Sequence, residues 1–293
     1  MKNFFAIIFA LLFSLSCYLL VCLALINTVD NIDPEYATIV FDSEIEKRNF
    51  KFEEFSTLYF LNDHDPLTKF SKKTGILGST PHLNIINSED YRVEVTANSD
   101  VFEKLKIGQK DDTLVITLSD DCYVPVHVDD HEYDYDTGLY ATFGMFEVTV
   151  YAPIDTLAVD STVSLDYQAP KCEKTYIRFS FDGTEAKIYD IDTKKLELYC
   201  SGDSHLNISG NVENSAKIMV GHNTQVDASE LTSKYTDFFV SSYVFGNSYI
   251  KYDHIYFTPE TTGNLFVFTY IYFPPVLWLF CLIICLRKKK RAI

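Results

Sequence analysis

The stretch "LELYCSGDSHLNISGNVENS", Leu196 to Ser215, decides how this chain is read. Leu196, Leu198 and Cys200 alternate with polar residues, a Ser-Gly-Asp turn follows, and then Leu206 and Ile208 alternate in the same way. Alternation puts apolar side chains on one face of a strand, so the spacing predicts strand, turn, strand, loop. So short a piece buries too little apolar surface to offset the ordering of its own backbone. It needs neighbours.

The neighbours are in the sequence. Aligned on this stretch, the inward triads are Ile177/Phe179/Phe181, Leu196/Leu198/Cys200, Ala216/Ile218/Val220 and Thr236/Phe238/Val240, in steps of 19, 20 and 20 residues. The second pairs are Ala186/Ile188, Leu206/Ile208 and Val226/Ala228, again 20 apart. The turns at Phe181, Ser201, Gly221 and Ser241 keep the same step, and Ser161 holds the phase one step earlier. A constant step over several copies predicts a β-solenoid of about 20 residues per coil, with inward side chains stacked into one core. Gly, Asn and Asp suit the corners, where positive φ is needed. An antiparallel β-sandwich also gives short alternating strands, but has no reason to hold a constant step. Upstream, Val93/Val95, Leu105/Ile107, Leu114/Ile116/Leu118 and Phe146/Val148/Val150 are expected as the first coils of the same domain.

Composition agrees with strands. Aromatics make up 15% of 293 residues, with 23 Phe and 20 Tyr, and aromatic side chains fit a pleated surface. The formal charge is −16; Lys2 and the tail Arg287-Lys288-Lys289-Lys290-Arg291 contribute six positive charges, so the region between carries −22. That charge excludes nucleic acid as a partner.

Both ends are apolar. Residues 4–26 are uncharged over 23 positions, close to the ~20 that span a bilayer, and are expected to be a transmembrane anchor. A cleaved signal peptide and a lipoprotein form processed at Cys17 are the rivals. Residues 270–286 are expected to form a second transmembrane helix, with Pro274-Pro275 near its start and Trp278 in the interface belt. A hydrophobic core strand is the rival there. The basic tail, 287–293, then lies in the cytoplasm by the positive-inside rule. Between these ends come a polar connector, 27–54, and an extracytoplasmic domain, 55–269, interrupted by an acidic loop at 119–144.

Candidate chemistry is sparse. Cys122, Cys172 and Cys200 lie outside the apolar ends, too few for a disulfide framework and without zinc spacing. Asp120, Asp121, Asp129, Asp130, Glu132, Asp134 and Asp136 surround His131 and could hold Ca²⁺. They lack the fixed Gly and terminal Glu of a calcium-hand loop, and no neighbouring Lys or Arg offsets them, so a solvated acidic loop is expected rather than a metal site. Asn207-Ile208-Ser209 matches a glycosylation acceptor by accident of the repeat, with Asn207 outward and Ile208 inward. Arg48, Arg92 and Arg178 are the arginines outside the tail and fall on different parts of the chain. His205 and His222 lie at corners of neighbouring coils, off phase by three residues. Nothing converges as a catalytic set. The expectation is no enzyme, no catalytic or metal residues and no cofactor.

Several of these features resemble a family, the putative auto-transporter adhesin head GIN domain family of bacterial envelopes. They are Arg48 with Phe55-Ser56-Thr57-Leu58, the corner Ser201-Gly202-Asp203, the run "QVDASELTSKYTDFFVSS" from Gln225 to Ser242, and the strand-like Gly263 to Tyr270. The resemblance covers roughly residues 45–270. It implies a right-handed parallel β-helix with an adhesin-like role, and carries over no catalytic residues. The resulting expectation is an adhesin-like interaction module of the bacterial cell envelope, held in the membrane by two anchors, with a protein or glycan ligand. An envelope structural or regulatory protein acting through a membrane partner is the alternative, and a β-helix carbohydrate-active enzyme a distant third.

Overall fold

The computed structural model describes residues 39–61, 73–77, 80–125, 137–180, 183–221, 223–241 and 248–258. The chain divides into two units, Met1–Ala37 and Thr38–Ile293, and every described residue belongs to the second. The apolar ends 4–26 and 270–286, the tail 287–293 and residues 27–38 of the connector lie outside the described residues.

The described strands, in chain order, are β1 (Ile39–Phe41), β2 (Ile45–Lys51), β3 (Thr57–Phe60), β4 (Lys73–Leu77), β5 (His82–Ile86), β6 (Arg92–Asn98), β7 (Leu105–Lys110) and β8 (Thr113–Leu118). They continue with β9 (Tyr123–Pro125), β10 (Thr137–Phe143), β11 (Phe146–Tyr151), β12 (Thr156–Val159), β13 (Ser164–Gln168) and β14 (Lys171–Phe179). Then come β15 (Glu185–Cys200), β16 (His205–Val220), β17 (Gln225–Val240), β18 (Tyr249–Tyr252) and β19 (Ile255–Phe257). A short helix, Ser99–Lys104, joins β6 to β7. Strands β1, β4, β9 and β10 form a small sheet; the other strands form one sheet of 15.

The large sheet has two arms. Strands β15, β16 and β17 are 16 residues long and run through both. Their first halves continue one arm, through β13, β5, β11, β6 and β2 on one side and β18 and β19 on the other. Their second halves continue the other arm, through β14, β12, β3, β8 and β7. Inward residues of both arms, such as Ile188 and Ile208 on the first and Leu198 and Ile218 on the second, belong to one hydrophobic cluster.

The 20-residue step appears directly as strand pairing. Leu206 lies opposite Ala186 and Val226, and Ile218 opposite Leu198 and Phe238, all parallel. One step differs: Ile177 pairs with Leu198 and Phe179 with Cys200, so Thr175 rather than Phe181 completes that triad, and the step is 21. A shift of two residues leaves every side chain on its own face, so alternation cannot detect it.

The expected right-handed parallel β-helix is corrected. The strands assemble into a curled open sheet, a half-barrel, and not into a solenoid. Two findings overturn the solenoid. The long strands pass through their bends unbroken, so the faces of the expected coils merge into one sheet. Upstream, β2 with β6, β6 with β11, and β7 with β8 pair antiparallel, where identical coils would pair parallel. Among the described residues no helix is long and apolar enough to cross a membrane; the segments expected to do so, 4–26 and 270–286, lie outside them. Strand β2 also lies in residues read as connector.

The curl has a local cause. The ladder slips between Ile188 and Ile191 and between Thr193 and Lys195, and such bulges bend a strand. Asp190 takes φ 60° and Gly210 φ 132° at the bend. A Cβ on Gly210 would stand 2.3 Å from the Ile191 carbonyl oxygen, so only glycine fits between the strands. At the opposite corner, where the second arm returns to the first, Thr184, Ser204, Thr224 and Ser248 are all buried. The Thr224 hydroxyl donates to the Gly202 carbonyl at 2.6 Å, and Ser204 Oγ accepts from the Thr184 N–H at 3.3 Å. These hydroxyls satisfy turn backbone that the core would otherwise strand.

Candidate functional site

Alternation turns half of each strand outward, and register lines these outward residues up into rows across the strands. On the second arm one row runs Val115, Tyr59, Ala158, Arg178, Tyr199, Met219, Phe239. The row beside it runs Thr113, Thr57, Thr156, Tyr176, Glu197, Lys217, Asp237. Ala158 stays buried although it faces away from the core cluster, flanked in register by the longer Tyr59 and Arg178. The Tyr176 and Tyr199 rings meet at a tilt of 41° with centroids 5.6 Å apart. Lys217 Nζ lies 5.6 Å over the Tyr199 ring and Lys174 Nζ 5.8 Å over Tyr176, within reach of the ring quadrupole. Burial pushes the Tyr176 phenol up, and the nearby Arg178 guanidinium opposes it, so the ring is neutral at pH 7.

The row ends in Phe239, 52% exposed on β17; Tyr235, 63% exposed on the same strand, ends a third row through Lys174, Lys195 and Ser215. Among the described residues β17 pairs on its far side only over Gln225–Asp227, so its second half carries an open edge.

The first arm presents a different exterior. One row runs His82, Ser164, Glu185, His205, Gln225, Tyr249, and the next Asn84, Asp166, Lys187, Asn207, Asp227, Lys251. The second row runs on to Tyr256, which is 58% exposed and meets the Tyr249 ring at 5.4 Å, but over the central strands polar groups answer one another. Lys251 pairs with Asp227 at 2.8 Å and, with help from the Ser229 N–H, holds the Asp227 carboxyl down to about 2. His82 lies 3.7 Å from Asp166.

The residues singled out in the sequence scatter over both arms. Ile208 is inward and 2% exposed, and Asn207 is outward and exposed, as the repeat requires. His205 is outward on the first arm; His222 lies outside the described residues. Arg48 and Arg92 sit on the adjoining strands β2 and β6. Arg48 lies over Phe102 at 4.2 Å and Arg92 over Tyr151 at 3.6 Å, and Arg92 and Lys47 both pair with Glu94. Arg178 is on the second arm, so the arginines do not converge. Cys122 and Cys200 are buried and Cys172 half-buried, all as free thiols, and burial pushes the Cys122 thiol up.

The acidic stretch needs a correction. Asp120 and Asp121 do have cations: Lys106 lies 3.8 Å from Asp120, and Lys104 pairs with Asp121. The Lys104 hydrogen bond, then that of Ser119, holds the Asp121 carboxyl below its usual range. Lys106 arrives from β7 and Lys104 from the short helix before it, both distant in sequence. Asp129, Asp130, His131, Glu132, Asp134 and Asp136 lie outside the described residues. Among the described residues no group of three or more His, Cys, Asp or Glu is placed to hold a metal.

The outward rows were missed in the sequence, although Ala158, Arg178, Tyr199, Met219 and Phe239 recur in steps of 20 or 21 and could have been tabulated like the inward residues.

Comparison with known proteins places these features. The family described as putative auto-transporter adhesin, head GIN domain, matches residues 77–243, more than half of the chain. No curated protein matches the sequence. Among solved structures, a putative adhesin from Parabacteroides distasonis ATCC 8503 is similar over 74% of this chain and 84% of that one, at 13% identity and TM-score 0.45. A putative lipid binding protein from the same strain is similar over 74% and 99%, at 11% identity and TM-score 0.44. A putative adhesin from Parabacteroides merdae ATCC 43184 is similar over 73% and 84%, at 12% identity and TM-score 0.43. Likenesses this loose carry no argument about function.

Proposed function

The chain belongs to the putative auto-transporter adhesin, head GIN domain family, and from that premise we propose that it is a non-enzymatic, adhesin-like binding module of the cell envelope. Its ligand rests on the outward face of the second arm. One observation carries this reading: the row through Tyr59, Arg178, Tyr199, Met219 and Phe239 is aromatic and apolar except for one guanidinium, yet it faces away from the core. Folding does not require an aromatic row across the central strands, since on the first arm those outward positions are polar and tyrosines stand only at the β18–β19 end. Aromatic faces flanked by cations are suited to gripping a ligand laid across a flat sheet.

The module works outside the cytoplasm. The uncharged segments 4–26 and 270–286, with Lys2 before one and the basic tail after the other, support attachment to a membrane with both termini inside. A reporter active only outside the cytoplasm, fused after Ala292, should stay silent; activity there would refute this topology.

Beads coated with the full-length protein, presented to immobilised polysaccharides and proteins, test the binding surface. Tyr199→Ser with Phe239→Ser should abolish retention, while Lys187→Ser with Asn207→Ser on the first arm should leave it. Retention that survives the first pair would overturn the reading.

A further inference from the structure

Resting on that reading, we infer that the ligand of the second arm is an anionic polysaccharide, one carrying carboxylate or sulfate groups along its chain. The first observation is local charge. The protein carries −16, yet outward positions on β14, β15 and β16 hold Lys174, Arg178, Lys195 and Lys217. The carboxylates around them are Glu173, Glu197 and Glu213; Lys194 takes Glu173 at 2.6 Å and Lys174 takes Glu197 at 3.0 Å.

The second is that two of these cations are left unneutralised. Lys195 stands directly opposite Lys174 in the ladder, an arrangement of like charges that costs a sheet stability. Lys195 has no carboxylate within ion-pair distance among the described residues. Lys217 is opposite Glu197 on one side and Asp237 on the other, yet among the described residues it pairs with neither and lies over Tyr199 instead.

The third is geometry. Tyr199 has Arg178 beside it on β14 and Lys217 close to its ring, so an aromatic face sits between two cations. A sugar ring can stack its C–H face on a tyrosine while its acidic substituent meets an adjacent guanidinium or ammonium. Neighbouring strands repeat such positions every ~4.8 Å, close to the length of one pyranose unit. A polysaccharide lying across the strands therefore meets a new ring or cation at each step. The negative charge of the whole chain opposes every polyanion at long range, nucleic acid most because each nucleotide carries a phosphate charge, and an acidic polypeptide would use the local cations without needing the tyrosine rings.

The experiment is calorimetric titration of the full-length protein in detergent with polygalacturonate, alginate, hyaluronate and chondroitin sulfate oligosaccharides. Methyl-esterified polygalacturonate, with the same backbone and no charge, and poly-glutamate serve as comparisons. At least one anionic glycan should bind. Lys195→Gln with Lys217→Gln should weaken it about tenfold or more, added salt should weaken it further, and Lys187→Gln should not. No binding to any anionic glycan overturns the inference, as does equal binding of the ester or of poly-glutamate. Binding of neutral glycans that is lost with Tyr199→Ser and Phe239→Ser overturns the anionic class alone and leaves the surface intact. Binding that survives those two substitutions overturns the surface itself.

Discussion

On the arm built around Asp166, Lys187, Asn207 and Asp227, the outward side chains of the central strands are charged or polar, with Tyr249 and Tyr256 at the β18–β19 end, and Asp227 pairs with its neighbour Lys251. On the arm built around Tyr176, Arg178, Tyr199 and Phe239, outward side chains are aromatic and cationic, and among the described residues Lys195 and Lys217 have no carboxylate within ion-pair distance. Inside, the arms are alike: Ile188 and Ile208 on one side and Leu198 and Ile218 on the other share a core. The inward residues answer to packing, which treats both arms equally. The outward residues are free of that demand, so a difference between the two exteriors reports a demand from outside the molecule.

The comparison breaks most easily at the shared core. Ile208→Asp buries an unpaired charge and should cost about 4 kcal/mol, whereas Asn207→Asp should stay within about 0.5 kcal/mol. Denaturant unfolding of the full-length protein reads both, and comparable losses would mean that the inward phase is misplaced. Next comes the bend that separates the arms. Gly210→Ala puts a Cβ against Ile191 at a positive φ and should cost ~2 kcal/mol; a neutral result would show that the strands can straighten there.

A smaller effect is expected at the corner joining the arms. Thr224→Val removes a hydroxyl that holds the Gly202 carbonyl and should cost about 1–2 kcal/mol. Thr184→Val should be neutral or better, because Thr184 Oγ1 is buried without a partner. Thermal unfolding of the two variants side by side distinguishes them. The smallest effect belongs to the polar exterior. Asp227 has its folded pKa depressed from 3.8 to about 2, so its stabilisation is present above pH ~4 and is lost as pH falls through about 2. Its side chain is 40% exposed, so screening keeps the effect small. Asp227→Asn should flatten the stability profile in that acid window and change little at pH 7.

The inward phase was legible in the sequence because burial forces it: Leu206, Ile208, Ile218 and Val220 stand where a 20-residue step puts them. The upstream pairing was not, since Val93 and Val95 alternate identically in parallel and antiparallel ladders. Nor was the curl, which depends on Asp190, a non-glycine at positive φ, and on bulges that leave no mark on alternation. The cations of Asp120 and Asp121 were invisible for another reason: Lys104 and Lys106 are 17 and 14 residues away and meet them only through folding. The outward rows were written at the same step as the core but carry no hydrophobic alternation to draw the eye.

The central claim is that the aromatic exterior of the second arm exists for binding and not for stability. Measuring both properties on one variant tests it most directly. For Tyr199→Ser with Phe239→Ser, the account predicts a Tm within about 4 °C of the unaltered protein and no retention on any surface that the unaltered protein binds. Retained binding together with a large fall in Tm would contradict it, and would make the row a part of the packing.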